Sequence, residues 1–443
     1  MKNRIRLSEI FAIGALLAIS GALRAQTPES GDPGHEQTAP TSSSPFNFDT
    51  KNIQFSGFGT LGMIYTHDKE VRYIRPSTNH PGHENPDLGP DTVLGVQANV
   101  TLGSHAALVL QAISRESTLG SYKPRASLAF LSYAFTPNVT VRAGRLRTPF
   151  FMLSESIDIN YANPWIRPPS EIYSMFPFSE LNGVDLLLTF GGIGGFDVEL
   201  HPYYGTSDLP IYQDGKGHLK NVRGLNITAT SGHLTLFAGY GQTDFSLKWR
   251  GQDLQTLSQY LRQPIVLNGN DILRDLSGSD GKGSFGVAGI QWDDGKWLFI
   301  GEYNRLRANR YAHRAHAWEL TAGRRFGEFM PYVTLASHTE DRPITTKRVA
   351  LAMAIPGVAE QLNEAVDAFL ASRNLSQSSA TLGLRWDFYK NTAFKLEFAH
   401  TRIHNRSWGS FFPENPNDPP ATLNQRMWKR SINTLGVSVD VTF

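Results

Sequence analysis

From Asn52 to Phe443 the chain repeats one pattern. About ten residues alternate between apolar and small or polar side chains, then a break follows, then another alternating run. Period two is the signature of a strand with one apolar face. The breaks themselves alternate between short and long. "TVLGVQANVTL" is followed by "GSH" and then "AALVLQAISR"; "VDLLLTF" turns through "GGIGG" into "FDVELHPYY"; "SFGVAGIQW" turns through "DDGK" into "WLFIGEYNRLR". The long breaks hold tens of residues, as at 67–90 and 148–182. The final run, "TLGVSVDVTF", sets Leu435, Val437, Val439, Val441 and Phe443 against Gly436, Ser438, Asp440 and Thr442. Counted this way the chain carries sixteen candidate strands.

An apolar strand face needs a cover, and alternation alone does not say whether that cover is a protein core or lipid. Two features favour lipid. Ionisable residues recur on the minor face, as on 381–389, where Leu382, Leu384, Trp386 and Phe388 oppose Thr381, Arg385, Asp387 and Tyr389. On the next strand Phe394, Leu396 and Phe398 oppose Lys395 and Glu397. Aromatics also gather near strand ends: Tyr65, Tyr133, Phe135, Trp292, Trp297, Trp386 and Phe443. An even strand count, tight turns on one side and long loops on the other are the layout of a transmembrane β-barrel. Lipid offers no hydrogen bonds, so a sheet spans it only by closing on itself. The pattern therefore predicts an all-β chain, a 16-stranded antiparallel transmembrane β-barrel over residues 52–443. The competing reading is a soluble periplasmic β-protein.

Composition removes other classes. There is no cysteine, so disulfides, thiolate catalysis and Cys-based zinc sites are out. The formal net charge of +2 gives no bulk attraction to nucleic acid. No apolar run reaches the ~20 residues of a membrane helix. Residues 1–25 read as a secretory signal peptide, with Lys2, Arg4 and Arg6 ahead of an apolar stretch from Ile10 to Leu23 and a cut after Ala22 or Ala25. Residues 26–51, rich in Pro, Ser and Gly, read as a flexible segment.

The segment "TPFFMLSESIDINYANPWIRPPSEIYSMFPFSELN", residues 148–182, is too apolar for a solvent loop and too long for a structureless one without a task. The simplest place for it is inside the barrel. Around it, Gly144-Arg145-Leu146-Arg147-Thr148-Pro149, Asn160-Tyr161-Ala162-Asn163-Pro164-Trp165 and Arg167-Pro168 resemble the sixteen-stranded, generally trimeric porins of Gram-negative outer membranes. The resemblance implies an inward-folded third outer loop that forms the pore constriction, with loop acids facing wall arginines. It assigns Glu155, Asp158 and Glu171 as the acids and Arg142, Arg145, Arg147 and Arg167 as the bases. It also implies a homotrimer, an outer-membrane lipid environment, and a terminal aromatic, Phe443, read by the barrel-insertion machinery. Strand parity puts Arg142 in the lumen, together with Arg385, Asp387, Lys395, Glu397 and Asp440 as pore lining. The same parity puts Arg145 and Arg147 outside unless Gly144 marks a bulge; otherwise the two sit at the rim.

Other signals are weak. His313 and His316 point to opposite faces of a strand and cannot share a metal there. His80, His83, Glu84 and Asp87 read as a polar loop, and "GGIGGF" as a turn, since no helix follows it. "GVAEQLNEAVDAFLA" predicts a short amphipathic helix within a long outer loop, 340–377, and "LQTLSQYL" a shorter one in the fifth loop. No nucleophile motif is present, and the reading calls for no catalytic residue, metal or cofactor. The expected function is passive diffusion of small hydrophilic solutes with a weak anion preference. The alternative is an outer-membrane barrel enzyme or adhesin acting through its outer loops.

Overall fold

The computed structural model describes residues 52–443 except 77, 83, 214, 277, 310 and 311. The expected signal peptide and the 26–51 segment lie outside the described residues. Eighteen strands follow in chain order: β1 (Ile53–Thr66), β2 (Val71–Tyr73), β3 (Val93–Thr101), β4 (Ala106–Arg115), β5 (Arg125–Thr136), β6 (Val139–Arg147), β7 (Glu180–Ile193), β8 (Phe196–Ile211), β9 (Gly215–Ser231), β10 (Leu234–Lys248), β11 (Gly278–Asp293), β12 (Trp297–Ala308), β13 (Arg314–Arg324), β14 (Phe329–Arg342), β15 (Gln377–Tyr389), β16 (Thr392–Ile403), β17 (Phe411–Pro413) and β18 (Ser431–Thr442). Sixteen of them form one closed antiparallel barrel, each paired with its chain neighbours. All sixteen segments read from the sequence are among them. β2 and β17, two short strands that alternation did not reveal, pair with each other across two outer loops.

Closure is made by β1 and β18, with Phe58 opposite Thr442 and Thr66 opposite Thr434. The backbone of Phe443 extends the seam: its N–H donates to the Gly57 carbonyl at 3.0 Å, and the Gly57 N–H donates to its carbonyl at 2.8 Å. Among the described residues the barrel sheet has no open edge, which is the condition for a sheet in lipid.

The two faces differ as the alternation required. On β16 Leu396 and Phe398 are exposed while Lys395 and Glu397 are buried; on β13 Trp318 and Leu320 are exposed while Glu319 and Thr321 are buried. On these strands polar residues are inside and large apolar ones outside, the reverse of a soluble fold. Towards the tight-turn end the outer wall carries Trp292, Trp297, Phe299, Phe329, Trp386 and Phe388, all exposed, with Trp297 and Phe299 stacked at 5.9 Å and Phe329 and Trp386 at 5.5 Å. Inside, Tyr332 lies across Gly383, where any Cβ would collide with its ring. That glycine lets the tyrosine hydroxyl donate to Glu397 at 2.7 Å.

The loops on the other rim are long and structured. Helices Gln252–Leu261, Gly269–Leu276 and Val358–Ala371 bury Leu257, Leu261, Ile272, Leu276, Val366 and Phe369 in one cluster. Pro420–Met427 packs against the Val358–Ala371 helix. Both helices expected from the sequence are there. The strands run slightly further than read: β7 starts at Glu180, leaving 148–179 as the third loop, and 343–376 as the seventh.

Candidate pore constriction

Residues 148–179 leave the barrel after β6 and return at β7, yet their contacts are with side chains on far strands. Trp165 is 1% exposed, and its indole N–H donates to Thr321 (3.1 Å) and Thr334 (2.9 Å) on β13 and β14. Lys395 on β16 donates to the carbonyls of Asn160 (2.6 Å), Asn163 (2.9 Å) and Trp165 (2.7 Å). Arg385 on β15 donates to the carbonyls of Tyr161 (2.7 Å) and Asn163 (3.0 Å) and lies over the Tyr161 ring at 4.8 Å. The Ile166 N–H donates to Glu397 (2.9 Å), and the Tyr173 hydroxyl to Glu302 on β12 (3.0 Å). The segment has only short turns of its own, Ser154–Ser156, Asn160–Ala162 and Ser170–Tyr173, so many of its backbone groups need outside partners. The inward-facing charged residues supply them.

The loop's own charges are paired at three places. Asp158 is bound by Arg115 on β4 (2.7 Å) and Arg147 at the end of β6 (2.8 Å). Burial works to raise the Asp158 carboxyl, but the Arg147 and Arg115 guanidiniums outweigh it and hold it well below the usual carboxylate range. Arg167 donates to Asp91 (2.6 Å), lies 3.9 Å from Glu397 and sits over the Tyr73 ring at 5.0 Å. Burial opposes its charge, yet Asp91 more than compensates and raises it above its ordinary value. Arg142 on β6 is held by Asp185 on β7 (2.6 Å) and lies 3.4 Å from His201 on β8. Glu155 of the loop stands 3.7 Å from Arg142, and its side chain is 63% exposed.

Several expectations need correction. Arg145 does not meet the loop: it donates to Asn182 (3.0 Å) and to the Ala126 carbonyl (3.0 Å), staying with neighbouring strands on the outward side. Gly144 is not a bulge, since pairing runs through it without a shift to both β5 and β7. Its φ of +134° and the close approach of the Phe130 backbone explain the glycine instead. Arg147, the last strand residue, does turn to Asp158. Among the described residues, Glu171 pairs with no arginine. It is 3% exposed and accepts from Gln377 at 2.8 Å, while its carbonyl lies 3.1 Å from the His338 ring nitrogen. Lys395, Glu397 and Asp440 face inward but are 0%, 5% and 0% exposed, so they do not line water. Lys395 also pairs with Asp440 at 2.8 Å, and Asp440 accepts from Thr60 at 2.8 Å. Of the five expected lining residues, Asp387 keeps the most open side chain, 40% exposed beside Arg385.

Sequence reasoning missed Asp91, Arg115, Asp185, His201, Glu302 and Trp165 as parts of the site. Strand parity held the signal for two of them. Arg115 shares its face with Gln111, opposite exposed Leu110, and Asp185 follows exposed Val184.

No protein-family model and no curated protein matches the chain. Solved structures do. Outer-membrane-expressed OmpT of Vibrio cholerae is similar at 12% identity and a TM-score of 0.50, over 88% of this chain and 97% of that one. Salmonella typhi OmpF, solved as a complex with daunomycin, is similar at 10% identity and a TM-score of 0.51, over 89% and 99%. An anion-selective porin from Comamonas acidovorans is similar at 11% identity and a TM-score of 0.50, over 88% and 99%. At such identities the likeness speaks for architecture alone, and the closed sixteen-stranded antiparallel barrel is that of the Gram-negative outer-membrane porins.

Proposed function

We propose that the chain is an outer-membrane porin, a water-filled channel for passive diffusion of small hydrophilic solutes, in which residues 148–179 fold into the lumen as the constriction. One observation carries this reading: the loop's backbone carbonyls are bonded to Lys395 and Arg385, inward-facing side chains of strands far from the loop's own roots. A loop so held reaches the β12–β16 wall, while its Asp158 is bound by Arg115 on β4 and Arg147 at the end of β6. The facing wall, β3 to β8, carries polar inner groups beside its apolar ones: Gln97, Asn99, Gln111, Arg142, Asp185 and His201. Solutes would pass between that wall and Glu155.

The balance of charge favours weak selectivity. Arg142, Arg147, Arg167 and Arg385 each have a carboxylate within 2.9 Å, so the guanidiniums that suggested an anion preference are largely neutralised. No chemical step is required of any residue. Assembly as a homotrimer is part of the same proposal, and its test is the mass of the detergent-solubilised particle. Purified protein in a planar bilayer tests the channel itself. Stepwise, ohmic conductance is expected; intact barrels that pass no current would favour the rival reading, an enzyme or adhesin working through the outer loops.

A further inference from the structure

The outer wall holds a charged row in an unusual place. Register aligns Arg223 (β9), Gln242 (β10), Ser284 (β11) and Arg307 (β12) side by side. All four lie on the lipid side: Arg223 shares its face with exposed Leu225 and Ile227, Gln242 with exposed Tyr240 and Leu236, Ser284 with exposed Ile290, and Arg307 with exposed Tyr303 and Phe299. One row further from the tight turns, Asp244 pairs in register with Lys282. Together these residues line a groove of about 440 Å³ with Tyr240 at its inner edge and Arg314 at its side.

Charge in the groove is unbalanced. Arg223, Lys282 and Arg307 have no ion pair among the described residues, and Arg314 donates to the Ala308 carbonyl at 2.5 Å. The one carboxylate lining the groove, Asp244, accepts from Asn221 at 2.8 Å; Asp280 lies two residues from Lys282 on the same strand face. Cations on the lipid face of a barrel are costly at the bilayer midplane and cheap near the interfaces. This row begins where the apolar band ends, above Tyr240, Tyr303 and Trp318, aromatics of the kind that sit at headgroup level. The strands here are also long, 17 residues in β9 and 15 in β10, against the ~9–11 that cross a bilayer. Their loop-side ends therefore stand in the headgroup layer.

We propose that this groove binds the phosphate of a phosphorylated lipid headgroup in the outer leaflet, through Arg223, Lys282 and Arg307, with Tyr240 against the sugar or acyl root. The site faces away from the lumen and is independent of whether the lumen conducts. An annulus lipid fixed there would seat the barrel at a set depth.

The test uses the full barrel in an uncharged, phosphate-free maltoside detergent, with and without a diphosphorylated glucosamine lipid. The wild type should retain the glycolipid through purification, and R223Q/K282Q/R307Q should bind it at least about tenfold more weakly, as expected for loss of cations near an anionic surface. R324Q, on the outer wall at the tight-turn end, should bind as the wild type. Equal retention by the triple variant, or equal retention of the dephosphorylated lipid, overturns the proposal. Inorganic phosphate is the second probe: full competition at concentrations matching the lipid assigns the site to free phosphate and also overturns it. Should the triple variant fail to fold, salt titration of the wild type decides. Screening should weaken retention, and a salt-independent result overturns the proposal.

Discussion

Lys395 shows how a single residue decides what the lumen looks like. Its ammonium is wholly buried, donates to three loop carbonyls and pairs with Asp440. Lys395→Met would strand those carbonyls and leave Asp440 without its counter-charge. Breaking a buried pair from one side costs about 3–5 kcal/mol. The variant should therefore unfold at lower denaturant and pass noisier current as residues 160–165 detach. A second change, Asp440→Leu, should recover part of the stability. If Lys395→Met matches the wild type in both readouts, the loop is held by something else. Arg142 makes the opposite case, because its side chain is partly exposed and lies near Glu155 as well as Asp185. Arg142→Glu would set three carboxylates together in the lumen. Reversal potentials should move towards cations, and an unchanged potential with intact conductance would place the current path elsewhere. Asp158 is no such tuning site. Its removal would leave Arg115 and Arg147 buried without a counter-charge, so Asp158→Asn is expected to lower stability more than it alters selectivity.

At the scale of elements, the third loop is the proposed constriction, and Trp165 is one of its apolar anchors. The ring is buried with Leu298, Ile300, Met330 and Tyr332 on the β12–β14 wall. Trp165→Ala should cost about 3–5 kcal/mol and raise mean single-channel conductance as the loop swings free; equal conductance would mean that 148–179 does not set the narrowest point. The first loop and the start of the second carry a pH response. Burial pushes the Asp87 carboxyl up to about 6, with Asp91 and Glu84 adding to it, and pushes Glu116 up to about 7, with Asp87 and Glu84 adding. A raised carboxyl pKa means the native loop binds more protons than the unfolded chain. Its stability is then highest at low pH and falls as pH rises from about 4 to about 7. Hydrogen exchange at the Thr66 and Gly89 amides, which donate to Asn85 (3.0 Å) and Asp87 (2.8 Å), should quicken more between pH 5 and pH 8 than intrinsic chemistry predicts. Asp87→Asn with Glu116→Gln should abolish the excess. These elements also mark what sequence can tell. Every barrel strand was legible, because period two with apolar against polar survives in a single chain. That the third loop packs rather than standing in solvent was legible from its aromatics, and Phe150, Phe151, Trp165 and Tyr173 are buried. Its partners were not legible. Arg167 lies within Trp165–Pro168 and Glu171 three residues beyond it, where the contacts depend on how an irregular backbone turns, and no period encodes that. Lys395 and Glu397 were placed on the correct face, but parity cannot show that another segment covers them.

For the whole molecule, closure is the decisive event, because fifteen paired strands would still leave two edges in lipid. β18 supplies the last pairing, from Thr434 opposite Thr66 to Thr442 opposite Phe58, and Phe443 adds two backbone hydrogen bonds to Gly57. Its ring lies against Gly57, where a Cβ would collide with it, and is half exposed on the tight-turn rim. Loss of two hydrogen bonds near a rim is worth only about 1–3 kcal/mol against a barrel of this size. Deleting Phe443 should therefore leave refolding into lipid vesicles nearly normal, read as the heat-resistant compact form on a gel. A second effect is expected if the terminal aromatic is a recognition element for insertion. In cells the same deletion should sharply reduce assembled barrel at unchanged synthesis, and Phe443→Tyr should restore it where Phe443→Asp does not. The two readouts separate the roles. A fall in both to the same extent would make Phe443 a structural residue of the seam and nothing more. A fall in neither would remove it from assembly altogether, while the closed barrel, which rests on the β1–β18 register, would stand.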